Sequence, residues 1–385
     1  MSAVAPFRNH LPVKIRFGEG VAADLRSVLA EEGATKPLVV IDEGLAGLVP
    51  RVADALGAVS GATTFEKAPG EPTVALVERA AEALQAAGCD SVVAIGGGSA
   101  MDTAKAARLV AGQGGPYLRF AGGGVTYKPP AIPLVCVPTT AGTGSEVSGG
   151  AVITDEATHR KAGIASPHLR AQHALVDPAL TWGLPPGITA HTGVDALAQA
   201  IAAMVVTART PIGDGIALES IRLAGDALVR VVRDGSDHEA RSQMACASLL
   251  GGLCMNISDC GAEHSLAQAL GGRYGMPHGL TIGLVLAETM DRDRAHVPAQ
   301  FERIADALGE PGSGSDGARA VQAVRRILAE LDFPTAAAAG VQATDLDELT
   351  GAALEDYFIS VAPAPWSPAE VRAAYEQGLA LGDRR

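Results

Sequence analysis

At Leu184-Pro185-Pro186-Gly187 the chain changes its hydrophobic pattern. Before that break, short apolar runs alternate with stretches of helical spacing. Pro37–Asp42, Asp90–Ile95 and Pro133–Val137 read as buried strands, and Val74–Ala87 and Ala100–Val110 read as helices. Strands separated by helices need crossovers and pair in parallel, so the first half is expected to be an α/β domain. Leu11–Phe17 fits an edge strand ended by Gly18-Glu19-Gly20. After the break β-branched runs are few. Ala- and Leu-rich helical stretches follow at about 189–206, 211–233, 237–256, 261–270, 298–308, 316–331 and 368–380. The break therefore predicts two domains: an α/β unit with a parallel sheet over 1–185 and an all-α unit over 186–385. Pro311–Ser315 reads as a surface loop inside the second, and no repeat of fixed period is present.

Composition narrows the function classes. The chain carries 43 acidic against 30 basic residues, a net charge of −13, which argues against a nucleic-acid partner. Aromatics are 4%, too few for a base-stacking platform. The 5 cysteines form no CxxC pair and read as reduced thiols. The first residues lack a basic-then-apolar signal pattern, and no apolar run reaches the roughly 18 to 20 residues of a membrane span. A soluble cytoplasmic protein with no membrane partner is expected.

Two turns stand at strand ends. Asp90–Ile95 runs into Gly96-Gly97-Gly98-Ser99 and then into a helix bearing Asp102. Three glycines permit a tight turn and a close ligand, and the helix amides behind them suit a pyrophosphate. The spacing matches neither common nucleotide motif, so a plain strand-to-helix turn stays open. Pro133–Val137 leads into Pro138-Thr139-Thr140-Ala141-Gly142-Thr143-Gly144-Ser145-Glu146, a cluster of hydroxyls and glycines. Ligands of open α/β sheets bind outside the carboxyl ends of strands, where both turns sit. Asp42 ends the strand Pro37–Asp42. It suits the hydroxyls of an adenosine ribose and, with Glu43 beside it and no basic partner evident, opposes a 2′-phosphate. An N-cap for a helix near Leu45 is the alternative.

The helical half holds candidate metal ligands. Asp195 and Gln199 are one turn apart in His191–Gln199 and share a helix face. His264 and His278 lie in a short glycine-rich segment of a chain with only 9 histidines. One carboxylate with two imidazoles beside a nucleotide crevice is a divalent-cation set.

The order GGGSAMDTAK, PTTAGTGSEV, ITD, VDPALTWGLPP, TGVDAL, EHSLAQALGG and MPHG resembles the iron-containing (group III) alcohol dehydrogenase family over nearly the whole chain. The resemblance implies the dehydroquinate synthase-like fold, an N-terminal dinucleotide-binding α/β domain and a C-terminal all-helical domain, with cofactor and metal meeting between them. It implies that Gly97, Gly98, Ser99 and Asp102 bind the pyrophosphate. Thr139, Thr140 and Ser145 would line the cofactor path, Lys161 would reach the nicotinamide ribose, and Asp42 would favour NAD over NADP. Asp195, His264 and His278 match three of the four family metal ligands. Two departures follow. Gln199 stands where the family has the fourth-ligand histidine, and Gln268 stands where it often has a second histidine near the nicotinamide. An amide is a weak neutral donor and cannot serve as an acid or base near neutral pH. A branch resembling glycerol dehydrogenases holds zinc with Asp and two His, so zinc, iron or an empty site all stay open.

The function implied is hydride transfer between NAD(H) and a small alcohol, aldehyde or ketone, with a metal at Asp195, His264 and His278, and Gln268 beside it. The alternatives are a metal-independent reductase resembling maleylacetate reductases, a remoter dehydroquinate synthase-like lyase, and a catalytically silent NAD-binding protein. Cys254, Asn256, Tyr274 and Trp366 are candidates for the substrate pocket, and Arg273 for an anionic substrate, with a solvent-facing arginine as the alternative. A homodimer is expected from the exposed strand Leu11–Phe17.

Overall fold

The structure is a computed structural model, and it describes residues 6–49, 51–121, 125–158 and 160–380. The first half contains β1 (Lys14–Phe17), α1 (Leu25–Glu31), β2 (Pro37–Asp42), α2 (Leu45–Leu48), α3 (Val52–Ala58), β3 (Thr63–Lys67), α4 (Val74–Ala86), β4 (Ser91–Gly96), α5 (Gly98–Gln113), β5 (Leu134–Pro138), β6 (Gly150–Asp155), β7 (Arg160–Ala165) and β8 (His173–Val176). The second half is helical: α6 (Pro186–Val205), α7 (Pro211–Arg233), α8 (His238–Ser258), α9 (Ala262–Tyr274), α10 (His278–Asp293), α11 (Pro298–Ala307), α12 (Ala318–Glu330), α13 (Leu346–Glu355) and α14 (Pro368–Ala380).

Six strands form one sheet in the order β1-β8-β5-β4-β2-β3, with every pairing parallel. Alternate residues of the central strands bury on opposite faces. Val39, Ile41, Val93, Ile95, Val135 and Val137 pack with α1 and α3, while Leu38, Val40, Val92, Ala94, Leu134 and Cys136 pack with α4 and α5. The chain leaves β2 for β3 on one side and then returns to place β4 on the other. The order therefore reverses between β2 and β4, and the crevice of such a sheet opens at their carboxyl ends. Asp42 ends β2 there and Gly96 ends β4.

Strands β3 and β8 and the antiparallel hairpin β6–β7 were not evident in the sequence. β3 reads TTFEK and β6–β7 is only half-buried, so neither shows an apolar run. β8 is just 4 residues, His173–Val176. In the helical half α10 and α13 are additional. α10 begins directly at the Met-Pro-His-Gly turn, where glycines mask the periodicity. β1 is shorter than the predicted Leu11–Phe17 strand, and it forms one sheet edge as expected. The helix near Leu45 is capped at Gly44 and not by Asp42.

One large core joins α6, α7, α8, α9, α10, α11, α12, α13 and α14. α6 is long and apolar enough to cross a membrane, contrary to the sequence reading, yet 83% of its apolar window is buried inside the protein. That burial marks a central core helix. The final turn of the first half ends at Thr181 and α6 starts at Pro186.

Candidate functional site

Both predicted turns stand at the crevice and face each other. A Cβ on Gly98 would lie 2.7 Å from Thr143 Cγ2, and one on Gly97 would lie 3.4 Å from Thr140 Oγ1. The bare glycine backbone is thus what lets the loop after β4 sit against the loop after β5. Gly97 N–H donates to Asp42 Oδ2 at 3.2 Å, so the carboxylate bridges β2 and the glycine turn. Asp42 does have a basic partner, correcting the sequence reading. Lys67 Nζ at the end of β3 lies 3.2 Å from Asp42 Oδ1, is almost wholly buried, and also donates to the carbonyls of Ala68 and Gly70. Ser99 Oγ donates to Gly70 O at 2.9 Å and ties the same two loops together.

The remaining polar groups of this half are largely engaged with one another. Asp102 accepts from Ser145 Oγ at 2.7 Å and from Val152 N at 2.9 Å. Lys105, fully buried, donates to Ser145 Oγ, Ser148 Oγ and Gly150 O. Asp102 and Ser145 therefore join α5 to the second turn and to β6. Thr139 is buried and its N–H donates to Gly96 O, whereas Thr140 is half-buried. Lys161 on β7 donates to Glu71 Oε2 at 3.0 Å and Thr154 Oγ1 at 3.1 Å.

The second turn also meets the helical half. Gly144 has φ +59, and a Cβ there would stand 2.3 Å from Gly252 Cα of α8. A Cβ on Gly142 would meet Thr192 of α6 at 2.6 Å. Only glycine allows both approaches. Asn256 of α8 completes the junction: its Oδ1 accepts from Gly149 N and Arg170, and its Nδ2 donates to Val147 O and Gly252 O.

Helices α6, α9 and α10 bring three side chains to one point in that junction. Asp195 Oδ1 lies 3.7 Å from His264 Nε2 and 3.7 Å from His278 Nε2. The rings of the two histidines are 5.4 Å apart. α10 comes this close to α6 because Gly279 has no side chain; a Cβ there would be 2.2 Å from His191 O. Asp195 Oδ1 is buried and has no hydrogen-bond donor among the described residues. An orphaned carboxylate oxygen is costly to bury, and two imidazole nitrogens aimed at it define a cation site. Ligands about 2.1 Å from a tetrahedral ion stand about 3.4 Å apart, close to the observed separations. The donor set thus fits a zinc-like or other first-row divalent ion.

Gln199 is buried one turn after Asp195. Its Nε2 donates to Thr143 O at 3.3 Å, and its Oε1 has no partner and lies toward Gly251. Gln268 is half-buried, one turn after His264 on α9. The ring of Phe358 stands edge-on to His264 at 5.7 Å, with Tyr357 beyond it. The buried thiol of Cys260, pushed up to about 11 by burial, also lies against His264. β7, which carries Lys161, packs against α9, which carries His264.

Glu71, Lys67, Glu263, Tyr357 and Phe358 were missed by sequence reasoning, and they carry no local signal. The predicted pocket candidates are mostly structural. Cys254 is buried in the helical core and donates to Gly251 O. Trp366 is buried and donates to Asp293, Tyr274 OH donates to Asp345, and Asn256 holds the domain junction. Arg273 is partly exposed and pairs with Asp345 and Glu348, which gives it the solvent-facing role.

Comparison with known proteins agrees with this architecture. Residues 12–178 match the iron-containing alcohol dehydrogenase family, and residues 189–379 match its C-terminal family. The chain is 37% identical over 381 residues to 4-hydroxybutyrate dehydrogenase of Cupriavidus necator, covering 95% of this chain and 98% of that one. It is 34% identical over 354 residues to NAD-dependent methanol dehydrogenase of Bacillus methanolicus, covering 90% and 93%. A crystal structure of 1,3-propanediol oxidoreductase superposes with a TM-score of 0.91 at 30% identity, covering 97% of this chain and 100% of that one. The two-domain fold and the length of these matches establish that the chain is an alcohol/aldehyde oxidoreductase belonging to the iron-containing alcohol dehydrogenase family.

Proposed function

We propose that the chain moves a hydride between NAD(H) and a small alcohol or aldehyde at a divalent-cation site held by Asp195, His264 and His278. The observation that carries this reading is the buried, donor-less Asp195 Oδ1 with an imidazole nitrogen 3.7 Å away on each of two other helices. Zinc or iron suits the set, and zinc is favoured because Gln199 offers at most an amide oxygen. When bound, the cation polarises the substrate oxygen and the nicotinamide carries the hydride. The chain's own residues orient both. We assign Gly97, Gly98 and Ser99 to the pyrophosphate, the backbone amides of Gly98 and Ser99 at the start of α5 being the donors while Gly97 gives its own to Asp42. Thr139 and Thr140 line the path, Asp102 and Ser145 hold its two turns in place, and Lys161 reaches the nicotinamide ribose from β7. Gln268 can neither give nor take a proton near neutral pH, so its part beside His264 is limited to hydrogen bonding.

Asp42 selects NAD(H), though Lys67 offsets part of its charge. Relatives named for 4-hydroxybutyrate and for methanol support a small alcohol as substrate. Phe358 supplies an apolar wall next to His264. The division of labour follows the proposed domains, 1–185 for coenzyme and 186–385 for the cation.

The β1 edge supports a homodimer: Ile15 and Phe17, and Leu11 just before the strand, are each about 40% exposed. Five free thiols suit the cytoplasm. The deciding experiment is NADH oxidation with a panel of small aldehydes before and after chelation. Activity that is lost on metal removal and returns with zinc or ferrous iron supports the reading. Full activity in metal-stripped protein, unchanged by added metal, replaces it with the metal-independent reductase, and no turnover with any substrate replaces it with a silent NAD-binding protein.

A further inference from the structure

Glu263 directly precedes His264 in the first turn of α9, and it is 5% exposed. Its Oε1 lies 2.7 Å from His264 Nδ1 and accepts from Gly261 N–H at 3.0 Å. The other ring nitrogen, Nε2, faces Asp195 Oδ1. An ionised carboxylate only accepts hydrogen bonds, so this contact places the ring proton on Nδ1 and leaves the lone pair on Nε2. Gly261 makes the arrangement possible, since a Cβ there would stand 2.5 Å from Glu263 Oε2. The carboxylate folds back into the space that the absent side chain leaves.

We propose that Glu263 is a positioning residue of the cation site, fixing the tautomer and orientation of His264 so that Nε2 presents its lone pair to the ion. The proposal rests on the reading of Asp195, His264 and His278 as a divalent-cation site. A carboxylate behind a ligating imidazole makes the ring a stronger donor. That matters more here than in a site with a third imidazole, because Gln199 brings no charge and no basic nitrogen. A purely structural role is the competing account: an acidic residue in the first turn of a helix is stabilising whatever its neighbour does. The two accounts differ in what they do to metal affinity.

The test is zinc binding to the full-length metal-free protein, by competition with a chromophoric chelator, together with the visible spectrum of the cobalt(II) form. Glu263→Leu removes the acceptor and is expected to weaken zinc 10- to 100-fold and to alter the cobalt bands, about the range for loss of an outer-sphere carboxylate. Glu263→Gln keeps an oxygen acceptor without the charge and should restore most of that loss. Gly261→Ala leaves Glu263 in the sequence but displaces its carboxylate, and should weaken zinc in the same direction; it carries the test if Glu263→Leu does not fold, as judged by NADH fluorescence. Zinc held as tightly by a folded Glu263→Leu or Gly261→Ala protein as by the unmodified one overturns the role of Glu263 alone. No zinc on the unmodified chain overturns the cation site and this inference with it.

Discussion

The two halves of the cleft are built by opposite rules. On the sheet side the polar side chains are already satisfied: Asp102 by Ser145 and Val152, Lys105 by Ser145, Ser148 and Gly150, Lys161 by Glu71 and Thr154. In the proposed reading the pyrophosphate is held mainly by backbone, exposed by glycine. On the helical side the reverse holds, and Asp195 Oδ1 and Gln199 Oε1 are buried without partners. A large coenzyme can be held by many weak backbone contacts, so its cradle need not be strained when empty. A single ion must be held by a few strong donors, and those donors are necessarily unsatisfied without it.

The largest effect should come from the helical side. His278→Ala removes one of three donors and leaves Asp195 Oδ1 facing a single imidazole. Zinc binding should be abolished and kcat/KM should fall by about a thousandfold or more, since the cation's polarisation of the substrate is lost. Coenzyme affinity, read by fluorescence, should barely change. A variant that loses NADH binding to the same degree would show the two halves to be one cooperative unit.

Glu146 is a buried carboxyl of the second turn, on the sheet side, and burial pushes it up to about 7. A raised carboxyl binds its proton more tightly in the folded state than unfolded. Its contribution to stability is therefore present below about 4.5 and is lost as pH rises to about 7. Glu146→Gln removes that loss. Relative to the unmodified protein, the variant should gain about 3 kcal/mol across this window, at about 1.4 kcal/mol per pH unit. Urea titrations of both proteins at several pH values check this, and a difference that does not change with pH contradicts it.

Gly98→Ala places a methyl group 2.7 Å from Thr143 Cγ2 and should push the two turns apart. NADH affinity is expected to drop about 10- to 100-fold, with zinc stoichiometry unchanged. Loss of zinc in this variant would break the separation between the halves. The smallest effect is at Asp42. Asp42→Gly frees Lys67 and removes the charge opposing a 2′-phosphate, so the ratio of kcat/KM with NADPH to that with NADH should rise about tenfold. Equal efficiency with both coenzymes in the unmodified protein would show that Lys67 already cancels the selection.

Much of this was legible in the chain because it is local. The strands β2, β4 and β5 are continuous apolar runs, and the glycine and hydroxyl turns follow them within a few residues. The helical half announces itself by periodicity, and Asp195 with Gln199 is a one-turn relation. Elements whose side chains are mixed, such as TTFEK in β3 or the β6–β7 hairpin, gave no such signal; β3 takes its place by pairing with β2, and β6 and β7 pair with each other in a separate two-stranded sheet. The pocket candidates turn out to have structural contacts for a related reason. Cys254, Asn256, Tyr274 and Trp366 were chosen by residue type, and type does not say whether a group faces a cleft or a core.

By itself, then, the sequence determined the two-part architecture, the glycine and hydroxyl turns at the strand ends and the residue types able to bind a cation. Only the tertiary structure decided that His264 and His278 converge on Asp195, that Lys67 sits beside Asp42, and that Glu263 backs His264 through the space left by Gly261. Hydrophobic period and turn chemistry act over a few residues and are written in order along the chain. Convergence of side chains from separate helices depends on how closely those helices can approach, and here that distance is set by glycines at 144, 252 and 279, whose role is visible only against the backbone they meet.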